Sequence, residues 1–214
     1  MSSQGTALTT DEMKKASKGR VERRRDRRRA EIVRAATQFL ALRGYHGLNL
    51  EGVAEEADIA KATLYHYFSS KDQLVFEALE SLTQFVLDRL STRIAETGGL
   101  DAKERLRVLI DEQALILTDT APEVAAVFSY PQSWPEPMMA ALKDKRRRHD
   151  AFFRDALTRG LDNGTLHTDS VDTSLQCLHG ILNHAAVWVP LLPTERARAE
   201  ARLEITDNAM KLFA

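Results

Sequence analysis

Residues 50–68, LEGVAEEADIAKATLYHYF, predict two short helices joined by a tight turn. Asn49 can cap the first of them, because its side-chain oxygen can accept a hydrogen bond from a free backbone N–H. Two helices this short cannot bury both apolar faces alone, so we expect a preceding helix at 27–43 to complete a three-helix unit. The small residues Ala54 and Ala57 allow the close crossing that a helix-turn-helix requires.

The second of these short helices leaves side chains suited to DNA on its outward face. Lys61 can reach guanine acceptors or a phosphate, and the Thr63 hydroxyl and methyl can meet base edges. Tyr65 suits phosphate oxygens, which set register without reading the sequence. The residues that we predict to contact DNA from this face and the start of the next helix are Lys61, Ala62, Thr63, Tyr65, His66 and Lys71.

Basic charge is concentrated on the N-terminal side of this segment. The chain has a net charge of −1, yet ten of its 30 Lys and Arg residues lie between Lys14 and Arg29. Such a segment favours a polyanionic partner. Residues 1–26 contain few apolar positions, so we predict a disordered basic arm. The arm can enter the minor groove or act only as an electrostatic tail that speeds encounter; both interpretations stay open.

The rest of the chain has apolar residues at helical spacing and no strand-like alternation. The fold class is therefore predicted to be all-α, with a three-helix DNA-binding domain at 27–74 and a larger C-terminal helical domain at 75–214. The further predicted helices cover residues 70–97, 101–118, 122–130, 135–162, 169–189 and 194–213.

Polar side chains on apolar helix faces of the second domain suggest a cavity that holds a ligand. His149 lies within the apolar face of the helix at 135–162, and Gln113 interrupts the apolar side of the helix at 101–118. A hydrogen-bonded core histidine, and arginines that reach solvent, are the alternative interpretations. The candidate ligand-binding residues are Phe85, Arg89, Gln113, Phe128, Tyr130, Trp134, Arg146, His149 and Phe153.

Other classes of protein find little support in the sequence. Cys177 is the single cysteine, which excludes an internal disulfide and fits a reducing cytoplasm. The longest apolar stretch is too short and too polar to span a bilayer. We find no nucleophile motif, no phosphate-binding glycine loop and no group of residues with metal-ligand spacing, since His179 and His184 do not share a helix face. We therefore expect no catalytic site, metal or cofactor.

Residues 27–74, RRRAEIVRAATQFLALRGYHGLNLEGVAEEADIAKATLYHYFSSKDQL, resemble the N-terminal domain of the TetR family. The element TLYHYF-x-x-K, from Thr63 to Lys71, is highly specific in this context. The resemblance implies a dimeric regulator with a DNA-binding domain on a divergent helical domain. By matched position it implies that Lys61, Thr63, Tyr65, His66 and Lys71 contact DNA, with Asn49 as a phosphate-contacting cap.

Three positions depart from the usual pattern of that family. Asp58 stands where glycine is common in the turn, and it can adopt a left-handed conformation at modest cost. Ala60 stands where a Ser or Thr usually caps the recognition helix. The loss of that cap is expected to lower the stability of the helix by about 1 kcal/mol. Leu48 replaces a common threonine, and we expect the loss of one phosphate hydrogen bond.

Residues 123–189 are similar to a branch of the family that responds to CoA thioesters, through VFSYPQSW, KDKRRRHDAFFRDALTRGLDNG and HGILNHAAVWV. The helices at 169–189 and 194–213 are implied to pack against the partner's equivalents. The predicted function is a ligand-responsive repressor that binds a palindromic operator as a dimer. An amphipathic effector such as an acyl-CoA is expected to release it. A ligand-independent DNA-binding protein and a helical enzyme are the alternatives.

Overall fold

The computed structural model describes residues 10–128 and 134–214, with side chains from residue 19 onward. These residues form an all-helical fold in which no strand occurs within the described ranges. Short π- and 3-10-helical turns follow α5, α8 and α9. The helices are α1 Thr10–Gly47, α2 Leu50–Glu56, α3 Lys61–Tyr67, α4 Lys71–Glu96, α5 Ala102–Leu115, α6 Glu123–Phe128, α7 Glu136–Asp162, α8 Val171–Trp188 and α9 Glu195–Met210.

Helices α1 to α3 form the predicted three-helix unit around a shared apolar core. Ile32 and Leu40 of α1 are fully buried with Val53 of α2 and Leu64 of α3. Regular helical geometry in α1 is interrupted at Gly44, whose φ of 65° an L side chain rarely adopts. The chain can therefore turn there into α2, close to the predicted helix end.

The prediction of disorder over residues 1–26 differs from the structure, which begins α1 at Thr10. Residues 1–9 lie outside the described residues. From residue 19 the added helix is solvent-exposed, and Val21 keeps 65% of its surface exposed. A helix extended from a packed core does not need a new nucleus, and Lys, Arg and Glu are good helix formers. Arg28 also pairs with Glu31 one turn later, at 2.9 Å. The small number of apolar positions in residues 10–26 therefore did not prevent a helix there.

Helix α4 connects the three-helix unit to the second domain. Its first turn is capped by Ser70, whose hydroxyl accepts from Gln73 N at 3.1 Å. Further along, α4 packs against α1, α5 and α7, while α5 also contacts α8 and α9. The centre of the second domain is apolar, with Leu106 and Leu109 of α5 fully buried beside Phe153 of α7. Among the described residues, no helix is long and apolar enough to cross a membrane.

The π-helical turn Ile116–Thr120 fixes the end of α5 against α9 through Asp119. Asp119 Oδ1 accepts from Arg198 at 3.1 Å, and Oδ2 accepts from Arg202 at 2.6 Å. Burial opposes ionisation of Asp119, but the hydrogen bond from Thr118 and the two arginines outweigh it. The pKa of Asp119 therefore lies below its ordinary value.

Candidate DNA interface and regulatory region

The turn between α2 and α3 is set by local backbone chemistry. Asn49 caps α2, since its Oδ1 accepts from Gly52 N at 2.7 Å. A Cβ at Gly52 would lie 2.5 Å from Phe39 Cζ, so glycine allows α1 and α2 to pack closely. Asp58 takes a φ of 49° in the turn, as expected for a residue in place of glycine. Ala60 precedes α3 without a side-chain cap, also as expected.

Leu48 is only 2% exposed and packs in the apolar core. The leucine therefore contributes buried apolar surface here, about 1.5–3 kcal/mol for a fully buried side chain. The expected loss of one phosphate hydrogen bond at this position stays a prediction.

Helix α3 presents most of its predicted DNA-contacting side chains to solvent. Lys61, Ala62, Tyr65 and His66 are exposed, and Thr63 is half-buried. Lys61 forms an ion pair with Glu51 of α2. Both side chains of that pair are more than half exposed, and such pairs are weak. Lys61 therefore stays available to exchange this carboxylate for a phosphate or a base.

Lys71 extends this surface to the start of α4. Its ammonium lies 4.6 Å from the centre of the Tyr45 ring and 3.4 Å from the His46 carbonyl oxygen. Tyr45 donates its hydroxyl proton to Asp72 at 2.6 Å, and this hydrogen bond raises the pKa of Tyr45. The cation therefore sits on an ordered aromatic platform, with Asn49 exposed nearby on the chain.

Arg29, which the sequence analysis did not single out, ties α3 to α1 and α4. Its guanidinium makes a two-pronged ion pair with Glu77, including Nε to Oε1 at 2.7 Å. It also donates to the Tyr67 carbonyl at 2.9 Å and lies 4.4 Å from the Phe68 ring centre. The hydrogen bond to Glu77 raises the pKa of Arg29. Arg29 thus holds the C-terminal end of α3 against the helix that leads into the second domain.

The second domain contains a cavity of about 460 Å³ between α4 and α5. The predicted residues Phe85 and Arg89 line it, together with Leu115. Glu112, which sequence reasoning missed, is 5% exposed and accepts from Arg89 Nε at 2.7 Å. Arg93 approaches the second Glu112 oxygen at 3.6 Å. These two arginines, whose side chains are each 40% exposed, therefore already share a carboxylate.

Three other predicted ligand-binding residues meet between α5 and α7. The Gln113 Oε1 atom lies 3.0 Å from His149 Nε2, and Gln113 is 6% exposed. The ring centres of His149 and Phe153 are 5.2 Å apart. The structure thus divides the predicted set between two neighbouring places, because consecutive residues Glu112 and Gln113 of α5 face different helices.

The His149 group also contains Asp150 of α7 and His179 of α8. The sequence did not reveal that these two residues lie beside His149. Asp150 Oδ1 lies 3.2 Å from His149 Nδ1 and 3.7 Å from His179 Nε2. Burial opposes ionisation of Asp150, but the hydrogen bond with His149 and the nearby cations lower its pKa. Burial also lowers the pKa of His179, as does the neighbouring His149.

Three of the remaining predicted ligand-binding residues, Trp134, Arg146 and Phe128, do not line the α4–α5 cavity. Trp134 contacts Tyr45 edge to face, with ring centres 6.0 Å apart, so it joins the start of α7 to the DNA-binding unit. Arg146 is exposed, which corrects the expectation of an inward cation. Phe128 is half-buried at the end of α6, and Tyr130 lies outside the described residues.

Lys145, beside Arg146, is the inward cation of α7. Its side chain is 13% exposed, and its ammonium contacts Glu80 and Gln84 of α4, each at 3.1 Å. Glu80 lies one turn along α4 from Glu77, the partner of Arg29. Polar contacts therefore connect α7 to α4 and, through Arg29, to the end of α3.

Helices α8 and α9 expose apolar side chains on the outside of the second domain. Leu182, in contrast, is 1% exposed within the core, so α8 has a distinct outer face. A Cβ added at Gly180 on that helix would meet no atom within 4 Å. The exposed apolar residues of this surface, which we call the α8–α9 surface, are Val187, Trp188, Leu191 and Leu203.

Comparison with known proteins identifies relatives of both halves of the chain. Residues 32–78 match the family model described as bacterial regulatory proteins, tetR family. Residues 99–190 match the model for a tetracyclin repressor-like C-terminal domain. The HTH-type transcriptional repressor KstR2 of Mycobacterium tuberculosis is 24% identical over 152 residues, covering 66% of this chain and 70% of that protein. The HTH-type transcriptional activator FasR of Mycolicibacterium smegmatis is 30% identical over 87 residues, or 41% of this chain and 39% of FasR.

Solved structures share the fold over most of the chain. The structure of the ketosteroid transcriptional regulator KstR2 of Mycobacterium tuberculosis superposes with a TM-score of 0.71 at 19% identity, covering 87% of this chain and 95% of that one. The transcriptional regulator FadR from Bacillus subtilis, in complex with stearoyl-CoA, gives a TM-score of 0.67 at 22% identity. That comparison covers 86% of this chain and 99% of FadR.

Proposed function

The chain belongs to the TetR family of bacterial regulatory proteins, and we propose that it is a repressor released from its operator by an acyl-CoA. It is a DNA-binding transcriptional regulator and not an enzyme. The observation that carries the proposal is that the exposed face of α3 lies at the start of α4, while a cavity lies along the C-terminal half of that same long helix. One element can thus sense a ligand and reposition the DNA-reading helix.

The proposed DNA contacts follow from the exposed face of α3. Lys61 and Thr63 would meet base edges, while Tyr65 and Lys71 would meet phosphates. Asn49, Ala62 and His66 belong to the same proposed set of DNA-contacting residues. The exposed basic residues of α1 between Arg20 and Arg27 add long-range attraction to the DNA polyanion.

The α8–α9 surface supports a two-fold dimer. Trp188 keeps 39% and Leu191 keeps 79% of its surface exposed, and grouped exposed apolar side chains often mark interfaces. A second copy of the chain is the proposed occupant of this surface, since a two-fold dimer matches a palindromic operator. Open space at Gly180 would let the partner helix approach closely.

The cavity between α4 and α5 is the proposed effector site. Its volume lies in the range typical of small-molecule pockets. Phe85 and Leu115 offer apolar contacts, and Arg89 and Arg93 offer cations to an anionic or strongly polar end. An acyl-CoA has both parts, and FadR, a structural neighbour, binds stearoyl-CoA.

Competition for two arginines provides the proposed switch. An anionic group that binds Arg89 and Arg93 would displace the Glu112 carboxylate, which now links α5 to α4. The α4–α5 contact would then change at one end of α4, while Arg29 and Lys71 hold α3 at the other. A ligand shifts such an equilibrium only through its preference for the state that cannot bind DNA.

The test combines fluorescence anisotropy of a labelled operator with effector titrations. We expect a long-chain acyl-CoA to release DNA, while free CoA and a neutral lipophile do not. Because Glu112 competes with the effector, Glu112→Gln should lower the acyl-CoA concentration needed for release several-fold. Arg107→Ala is the matched control, since Arg107 pairs with Asp207 on an exposed surface. Release by the neutral lipophile alone would overturn the anion-competition proposal.

A further inference from the structure

We propose that His149, Asp150 and His179 form a binding site for a zinc-class divalent ion that joins α7 to α8. Each residue offers one ligand atom, and these three atoms lie within 4.8 Å of one another. The group is separate from the α4–α5 cavity and from the DNA-contacting face. Its test uses metal binding without DNA, so it stands or fails independently of the proposed function.

The distances suit a small transition-metal ion after minor adjustment. Asp150 Oδ1 lies 3.2 Å from His149 Nδ1 and 3.7 Å from His179 Nε2. Ligands at about 2.1 Å from a tetrahedral zinc lie roughly 3.4 Å apart. The two separations from Asp150 fall on both sides of that value, and the separation between the two histidine atoms is no more than 4.8 Å.

His149 has the supporting contact that a metal-ligating histidine usually has. Gln113 Oε1 lies 3.0 Å from His149 Nε2 and can accept its proton. In that tautomer, Nδ1 of His149 carries a lone pair that faces Asp150 Oδ1, in place of the hydrogen bond that Nδ1 donates to Asp150 in the other tautomer. A cation between the two atoms would be bound by both. Hydrogen-bonded partners of this kind hold the ring orientation and tautomer of metal ligands.

His179 supplies a second, independent indication. Its Nε2 atom is buried and has no hydrogen-bond partner within the part of the chain that the structure describes. A buried polar atom without a partner costs about 1–3 kcal/mol. The atom points to the same carboxylate as His149, and coordination to a shared ion would satisfy it.

The ligand types specify the class of ion. Two imidazoles and one carboxylate favour Zn²⁺, Co²⁺, Ni²⁺ or Cu²⁺, whereas Mg²⁺ and Ca²⁺ prefer oxygen ligands throughout. Three protein ligands leave a coordination position for water. The exposed side chain of Arg146 also acts electrostatically on Asp150 and His179, which opposes cation binding. Arg146→Ala should therefore strengthen metal binding.

The probe is Co²⁺, whose visible absorption reports coordination geometry, followed by displacement with Zn²⁺. The protein is first dialysed against a chelator, and Cys177→Ser serves as the background because that exposed thiol lies on α8. We expect one Co²⁺ per chain with a tetrahedral or five-coordinate spectrum, which Zn²⁺ abolishes and Mg²⁺ leaves unchanged. Gln113→Ala should weaken binding about 10-fold or more.

Ligand variants test the assignment directly. The Co²⁺ spectrum should be abolished by each of the variants His149→Ala, Asp150→Asn and His179→Ala. It should be retained in His184→Ala, because His184 is an exposed histidine on α8, the helix that carries His179. The Co²⁺ spectrum of the Cys177→Ser protein, which keeps all three ligands, tests the proposal even where a ligand variant fails to fold. Absence of saturable Co²⁺ and Zn²⁺ binding, or loss of binding in His184→Ala alone, would overturn the site.

Discussion

Replacing Arg29 tests whether α3 is held in place by the contacts that connect it to α4. Arg29→Ala removes a two-pronged ion pair with Glu77, a hydrogen bond to the Tyr67 carbonyl and a contact with the Phe68 ring. Hydrogen bonds to charged groups contribute about 1.5–3 kcal/mol, and a cation over an aromatic ring about 0.5–1 kcal/mol.

Screening by solvent reduces the combined contribution of these contacts to stability, because the Arg29 and Glu77 side chains are 31% and 33% exposed. We expect Arg29→Ala to lower the free energy of unfolding by about 2 kcal/mol, with a fall in melting temperature of roughly 4–8 °C. Arg29→Lys should recover only part of this loss, since an ammonium cannot reproduce the guanidinium fork.

Thermal unfolding without DNA is the appropriate assay, because it separates a structural role from a phosphate contact. Arg28→Ala is the matched control: Arg28 is 43% exposed and pairs with Glu31 within the same helix. Its effect should stay within about 0.5 kcal/mol. If Arg29→Ala and Arg28→Ala have the same melting temperature and Arg29→Ala only lowers DNA affinity, then Arg29 is a DNA contact and does not hold α3 against α4.

Three further predictions concern the DNA interface, the α8–α9 surface and the ion pairs of Asp119. Lys71→Ala should weaken binding to every DNA sequence and make the salt dependence shallower by about one counterion, whereas Lys61→Ala should also alter base preference; unchanged affinity in both variants would refute the interface. Trp188→Glu should convert a dimer of about twice 24.0 kDa into folded monomers by light scattering, and a persistent dimer would exclude the α8–α9 surface. Asp119 has a depressed pKa, so its stabilisation should be present above the ordinary value of 3.8 and lost as the pH falls below it. Asp119→Asn should flatten that part of the acid unfolding curve, and a superimposable curve would refute the role.

The sequence was sufficient for the DNA-binding unit because its signals are local. Asn49 caps α2, Asp58 adopts the left-handed turn, and Tyr65 lies outward because Leu64 and Phe68 face the core. Each of these features depends on residues a few positions away. Helical periodicity and caps also sufficed for the all-α fold class.

The regulatory region was harder to predict because its contacts join distant parts of the chain. A helical projection placed both Lys145 and Arg146 beside the apolar face of α7, but in the structure Arg146 is exposed and only Lys145, with a side chain 13% exposed, contacts α4. Glu112 pairs with Arg89 of another helix, and no local pattern reveals such a partner. His179 likewise reaches Asp150 only through the packing of α8 on α7.

Selection of binding sites from random double-stranded DNA tests the central claim most directly. A two-fold dimer that reads DNA with α3 should enrich an inverted repeat whose half-site centres lie about 34–36 Å apart, one helical turn of DNA. The Lys61→Ala variant, selected in parallel, should enrich an altered half-site. Enrichment of an asymmetric single site, or no enrichment above the starting pool, would contradict the account.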